Sequence, residues 1–104
     1  MYNLIINILE NILMVLKDGG EEYYYQLIRN ILDDKAEDDV WKFIISNDLW
    51  GGSGSISDQA LLDNKDLRIK LEMLLIELGN MQMRMDKVNP RTKMWVSSFL
   101  DRGG

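Results

Sequence analysis

Polar residues interrupt the first eighteen positions at helical intervals: Asn3, Asn7, Glu10, Asn11, Lys17 and Asp18 break an otherwise apolar run. Leu4, Ile5, Ile8, Leu9, Ile12, Val15 and Leu16 fill the remaining arc, so the spacing predicts an amphipathic helix with a broad apolar face. Gly19 and Gly20 then supply a C-terminal stop. So wide a face suits a central helix or one that joins an oligomer. Glu21 and Glu22 open a second helix, where negative charge suits the positive end of the dipole. The tyrosines of "YYYQ" favour a strand, but Tyr24, Leu27, Ile28, Ile31 and Leu32 recur at helical spacing and decide for a helix.

An acidic turn leads into a third helix with Val40, Trp41, Ile44 and Ile45 on its apolar face. Asn47 and Asp48 loosen its end, and Trp50 anchors the chain ahead of a glycine-rich stretch. The clearest pattern is Lys65 to Val88. Leu67, Leu71, Leu74, Leu78, Met81 and Met85 alternate spacings of four and three, a seam that Met73 and Ile76 broaden. Gly79 and Asn80 fall in register with it, so one helix with a weak point is expected. Asn89 and Pro90 form an N-cap and first-turn pair for a last helix, which carries Trp95, Val96, Phe99 and Leu100 and ends at Gly103 and Gly104. No stretch alternates with period two. The expectation is a single all-α domain over residues 1–104, a compact bundle of four to five helices. A Gly-rich turn should lie between the third helix and a short fourth one.

The segment "WGGSGSISDQALL" admits three readings. A phosphate-cradling loop lacks the lysine of a Walker motif and the spacing of a dinucleotide fingerprint, though backbone N–H groups at a helix start can hold an anion. A flexible tether fits the composition of Gly51 to Ser55. A structural corner accounts for more residues: Gly51, Gly52 and Gly54 permit close approach or positive φ, and Ser55 with Asp58 forms a capping-box-like start.

Composition narrows the chemistry. A chain of 104 residues that is 46% hydrophobic supports one modest core. It has no cysteine and no histidine, which removes disulfides, thiolate and imidazole ligands and the usual nucleophile–base pairs. No general acid, nucleophile, cofactor box or metal site can be named, and no enzyme is expected. Met1 to Leu16 is too short and too interrupted for a membrane span, and a cytoplasmic protein is expected. The net charge of −5 is uneven: residues 10 to 39 hold nine acids and three bases, the rest eight acids and nine bases. That balance disfavours nucleic acid as a partner and favours a basic one, or serves solubility alone.

Five carboxylates, Asp33, Asp34, Glu37, Asp38 and Asp39, fall within seven residues. They read as a patch that mimics phosphates and covers a basic partner, or as a solvated turn before a helix start. One of Tyr23, Tyr24 and Tyr25 must face outward, and Tyr23 and Trp50 are the candidate aromatic anchors of that interface. The methionines Met81, Met83, Met85 and Met94 are read mainly as core.

The string from Trp50 to Leu61 also resembles the G-G-x-G-S-x-x-D-x-x-L signature of small, uncharacterised bacterial helical proteins found beside polymorphic or contact-dependent toxins. The matching positions are Gly51, Gly52, Gly54, Ser55, Asp58 and Leu61; Ser53, Gln59 and Ala60 depart from the usual residues. The resemblance implies a candidate immunity protein, a small acidic non-enzymatic binder that occludes a basic cognate toxin without cofactor. The alternative is a structural or oligomerisation module whose first and long helices pair with a copy of themselves.

Overall fold

The computed structural model describes residues 1–34 and 36–103. Seven helical segments follow one another among the described residues: α1 Tyr2–Asp18, α2 Glu22–Asp34, α3 Glu37–Ile44, α4 Asn47–Trp50, α5 Ile56–Gln59, α6 Lys65–Met85 and α7 Thr92–Gly103. Two of them, α4 and α5, are single turns, so the fold has more pieces than the four to five helices expected. It is all-helical and compact, with a radius of gyration of 12.5 Å. No helix among the described residues is long and apolar enough to cross a membrane.

The long helices form a row in which α1 packs between α2 and α6, and α6 packs between α1 and α7. The face of α1 predicted to be apolar supplies Ile5, Ile8, Leu9, Ile12 and Leu16 to the core, while Leu4 remains exposed. The α1–α2 connection is a Schellman turn: Gly20 takes φ +71°, its N–H donates to the Lys17 carbonyl, and the Glu21 N–H donates to the Leu16 carbonyl. Gly19 is needed for another reason, because a Cβ there would collide with the Leu61 side chain.

The long helix differs from its sequence reading in register and in length. Its buried positions are Arg68, Leu71, Leu75, Leu78, Gly79, Met81 and Gln82. The predicted seam members Leu67, Leu74 and Met85 are only half-buried, and Met73 faces solvent. The buried stripe is therefore rotated toward two polar side chains. Gly79 sits on it because α7 and Trp50 come close: an added Cβ would strike Val96 and stand 3.3 Å from the Trp50 ring. The helix stops at Met85, three residues short of Val88, because Asp86 takes a left-handed conformation with φ +57°. Its successor Lys87 donates to the Gln82 carbonyl, closing a second Schellman turn. Asn89 does serve the last helix, though from further back. Its Oδ1 accepts from the Arg91 N–H at 2.9 Å, and α7 begins only at Thr92.

The chain from Ile44 to Leu61 threads through the molecule in short pieces, with Leu49, Trp50, Gly51, Ser55, Ile56, Ser57, Ala60 and Leu61 all buried. Buried backbone must find hydrogen-bond partners, and here side chains supply them. Gln82 Nε2 and Trp50 Nε1 donate to the Ile44 carbonyl, Asn89 to Ile45, Ser57 Oγ to Leu49, and Trp95 Nε1 to Trp50 and Gly51. Arg68 closes the series: Nη1 donates to Ala60 at 2.8 Å and Ile56 at 3.4 Å, and Nη2 donates to Ser57 at 2.6 Å, while Nε pairs with Glu72 at 2.7 Å. No buried side-chain nitrogen or oxygen among the described residues is left without a partner.

Leu61 shows how firmly this segment is held. Its φ of +62° is a conformation that leucine disfavours by roughly 1–2 kcal/mol. It persists because the Leu61 N–H donates to Glu21 Oε2 at 2.9 Å while its side chain fills the space beside Gly19. Arg68→Met should then remove the acceptor-satisfying fork from α5 and leave three carbonyls without that donor. The expected loss is about 3 kcal/mol or more in urea unfolding. Arg102→Met, which removes only an exposed partner of Glu72, should cost less than about 1 kcal/mol.

Candidate functional site

Three surface features carry polar or apolar groups that the core does not consume. The first is the groove between α6 and α7, about 550 Å³ in volume. Its α6 wall carries Ile69, Met73 and Ile76, spaced four and then three residues apart, so all three project from one side of the helix. Met73 is 65% exposed, Leu62 at the mouth 60% and Ile69 48%. Phe99 of α7 closes the floor, stacked on Trp95 with ring centroids 5.6 Å apart. Arg68 and Arg102 lie over the Phe99 ring, 5.5 and 5.3 Å from its centroid, and both donate to Glu72 Oε2, at 2.7 and 3.1 Å. Lys65 adds a further positive group to the wall.

The second feature is the corner between α2 and α3. It brings together the five carboxylates singled out in the sequence, but they are not equivalent. Asp33 and Asp34 close α2, where the helix dipole opposes negative charge; Glu37, Asp38 and Asp39 open α3, where it favours it. Asp33 is paired with Arg29 Nε at 2.9 Å, and Glu37 accepts from Trp41 Nε1 at 3.3 Å. Asp34 shares a hydrogen bond with Asp39, and that contact, with the like charge behind it, raises the Asp34 carboxyl above its ordinary range. Asp38 projects freely into solvent.

The aromatic anchors proposed for this corner do not join it. Trp50 is 0% exposed and cannot touch a partner. Its indole is committed to the Ile44 carbonyl at 2.9 Å and to Gln82 Oε1 at 3.1 Å, so it is a core residue. It closes α4 and packs against α6, where a Cβ at Gly79 would stand 3.3 Å from its ring. Tyr23 is 70% exposed, but it stands at the opposite end of α2 from Asp33, about 15 Å along the axis at 1.5 Å per residue. Its ring packs edge-on against Tyr24, centroids 5.2 Å apart.

The third feature is the glycine-rich segment. Gly51 is buried, and a Cβ there would meet the Asn47 backbone; Gly54 adopts φ +87°. Gly52 lies under the Arg91 guanidinium, with Nη1 3.1 Å from where a Cβ would stand. Ser55 Oγ donates to the Gly51 carbonyl at 2.8 Å and accepts from the Asp58 N–H at 3.1 Å, while Asp58 Oδ2 accepts from the Gly54 N–H at 3.2 Å. Tyr24 donates its hydroxyl to the Gly54 carbonyl at 2.9 Å. Burial first, then the charge of Glu21, raises the Tyr24 phenol above its ordinary value and keeps that proton in place. A segment pinned at both ends in this way is not a flexible tether. Its polar cleft, about 270 Å³ and lined by Asn47, Asp48 and Arg91 beside the glycines, mixes an acid with the one cation.

The α6–α7 groove is the feature that sequence reasoning missed. The signal was available: Ile69 lies off the predicted seam yet four residues before Met73, so the apolar positions of α6 cover more of its surface than a single contact face requires.

The Asp34–Asp39 pair generates a pH test. Because Asp34 is raised in the folded state, its contribution to stability is fully present below the carboxylate's unfolded pKa. That contribution disappears as pH rises through the raised value. Asp34→Asn, which removes both the repulsion and a charge the α2 dipole opposes, should therefore raise the melting temperature near neutral pH. The gain should shrink toward zero as the pH falls below about 4.

No protein-family model, no curated protein and no solved structure matches the chain, so a functional reading rests on its own residues and surfaces.

Proposed function

We propose that the protein acts by binding another protein, and that its α2–α3 corner is the face that meets a basic partner. The observation that carries this reading is the exposure of the corner's acids: Asp33, Asp34, Glu37 and Asp38 face solvent where α2 ends and α3 begins, with Asp39 half-buried beside them. Like charges kept together oppose folding at neutral pH, and a partner's lysine or arginine relieves them. The corner thus favours a cationic surface, and its field steers the encounter. Occlusion of a basic toxin by an immunity protein is the specific form that the Gly51–Leu61 string suggests. On that form the protein works in the cytoplasm, without cofactor and without a reaction of its own.

The alternative of an oligomerisation module would draw on what α1 and α6 leave outside the core: Leu4 and Met14 on α1, Ile69 and Met73 on α6. The binding reading expects a monomer at all concentrations, so sedimentation across a dilution series should show no shift in mass. A dimer that forms with concentration would favour the alternative.

The corner itself is tested by reversing charge where the side chains are exposed. Asp34→Lys combined with Asp38→Lys should abolish capture of a basic protein from the cell that encodes the chain. For the wild-type complex, the association rate should fall about tenfold or more between roughly 50 and 500 mM salt. Capture that survives the reversal, with no salt dependence, would remove the acidic corner from the interface.

A further inference from the structure

We propose that the groove between α6 and α7 is a second docking site, which receives an amphipathic helix of a partner protein carrying carboxylates beside its apolar ridge. Ile69, Met73 and Ile76 repeat at the i, i+4, i+7 interval that a docked helix presents in return. From Lys65 to Ile76 the wall runs about 16 Å, the length of three helical turns. Leu62 and Phe99 close the mouth and floor, and the exposed methionine gives a surface that repacks around an incoming side chain. An apolar strip of this kind, edged by charge, marks an interaction site more often than a bare surface.

Charge selects the occupant. The chain as a whole carries −5, yet the groove is lined by Lys65, Arg68 and Arg102 against a single acid, Glu72. Arg68 has no capacity to spare: its fork holds the α5 carbonyls and its Nε holds Glu72. Arg102 is in the opposite condition. It gives one bond to Glu72, through Nη2, and its other donors have no protein acceptor among the described residues. Its guanidinium is half-exposed and lies over Phe99 at the edge of the apolar strip. Carboxylates flanking the apolar anchors would meet Arg102 beside Glu72 and Lys65 about two turns away along α6. A second copy of this chain fits poorly, because two-fold pairing across the groove would bring together two patches of the same positive sign. The site is independent of the acidic corner, which lies on α2 and α3.

The test is a selection. A displayed library of helices about 18 residues long, with apolar anchors at i, i+4, i+7 and the flanking positions randomised among Glu, Gln and Lys, is panned against the wild-type chain. Helices with Glu beside the anchors should be enriched. Met73→Glu, at an exposed position that leaves the melting temperature unchanged, should weaken them by about tenfold or more. Arg102→Glu should shift the preference from Glu-bearing to Lys-bearing helices, while Asp34→Lys with Asp38→Lys should leave binding as it is. Four outcomes would overturn the proposal: no helix enriched; enrichment indifferent to charge or to Met73→Glu; a wild-type dimer that Met73→Glu dissolves, which would make the groove a self-interface; or saturable binding of dodecanoate with no helix bound, which would make it a site for an acyl chain.

Discussion

Much of the chain between Ile44 and Leu61 is buried without being regularly helical, and this constraint organises the molecule. A long helix satisfies its own carbonyls; two single turns and a glycine-rich bend cannot. Each unpaired buried carbonyl would cost on the order of 1–3 kcal/mol, comparable with a large part of the stability of a domain this size. The remedy is spread along the chain: Tyr24 from α2, Arg68 and Gln82 from α6, Asn89 from the loop beyond it and Trp95 from α7. The connecting segment therefore does not decorate a preformed bundle. Its carbonyls join α2, α6 and α7 into one structure.

That arrangement explains why α6 is rotated from the position its leucines suggest. A seam of Leu67, Leu71, Leu74 and Leu78 would bury only hydrocarbon. The observed stripe brings in Arg68 and Gln82, because the carbonyls of Ile44, Ser57 and Ala60 wait on that side. The turn of the helix has a second effect. It presents Met73 to solvent instead of the core, and so completes with Ile69 and Ile76 the apolar wall of the groove. The polar network and the exposed strip are two sides of one choice of register.

The legibility of the sequence follows the same division. Period and capping signals placed all the longer helices, and the Gly19–Gly20 stop and the Ser55 cap formed where their chemistry indicated. These are local effects, set by residues a few positions apart. Arg68 and Gln82 carry no local signal of their roles, because their acceptors lie eight to thirty-eight residues away in the chain. Trp50 was misread for a related reason. An aromatic residue before glycines looks accessible until Gly79, far along the chain, makes a cavity for it. Tyr23 and the acids looked adjacent because one helix carries both, yet its length holds them apart.

The two proposed surfaces are also apart in the row of helices: α1 stands between α2 and α6, and packed helix axes lie about 8–10 Å apart. At ionic strengths near physiological, the Debye length is about 8 Å, so charges at the α2–α3 corner and at the α6–α7 groove act on different parts of an approaching molecule. Opposite sign at the two sites is then no contradiction. The corner is a field, built from exposed carboxylates that a salt solution weakens. The groove is an apolar contact whose arginine is anchored by Glu72 and by the Phe99 ring, less screened and more dependent on shape. A single basic partner would use the first and leave the second empty. A partner with a cationic surface and a carboxylate-bearing helix would engage both, and linking the two contacts would raise its affinity far above either alone. The molecule's charge asymmetry is thus better suited to choosing a partner by pattern than by net charge.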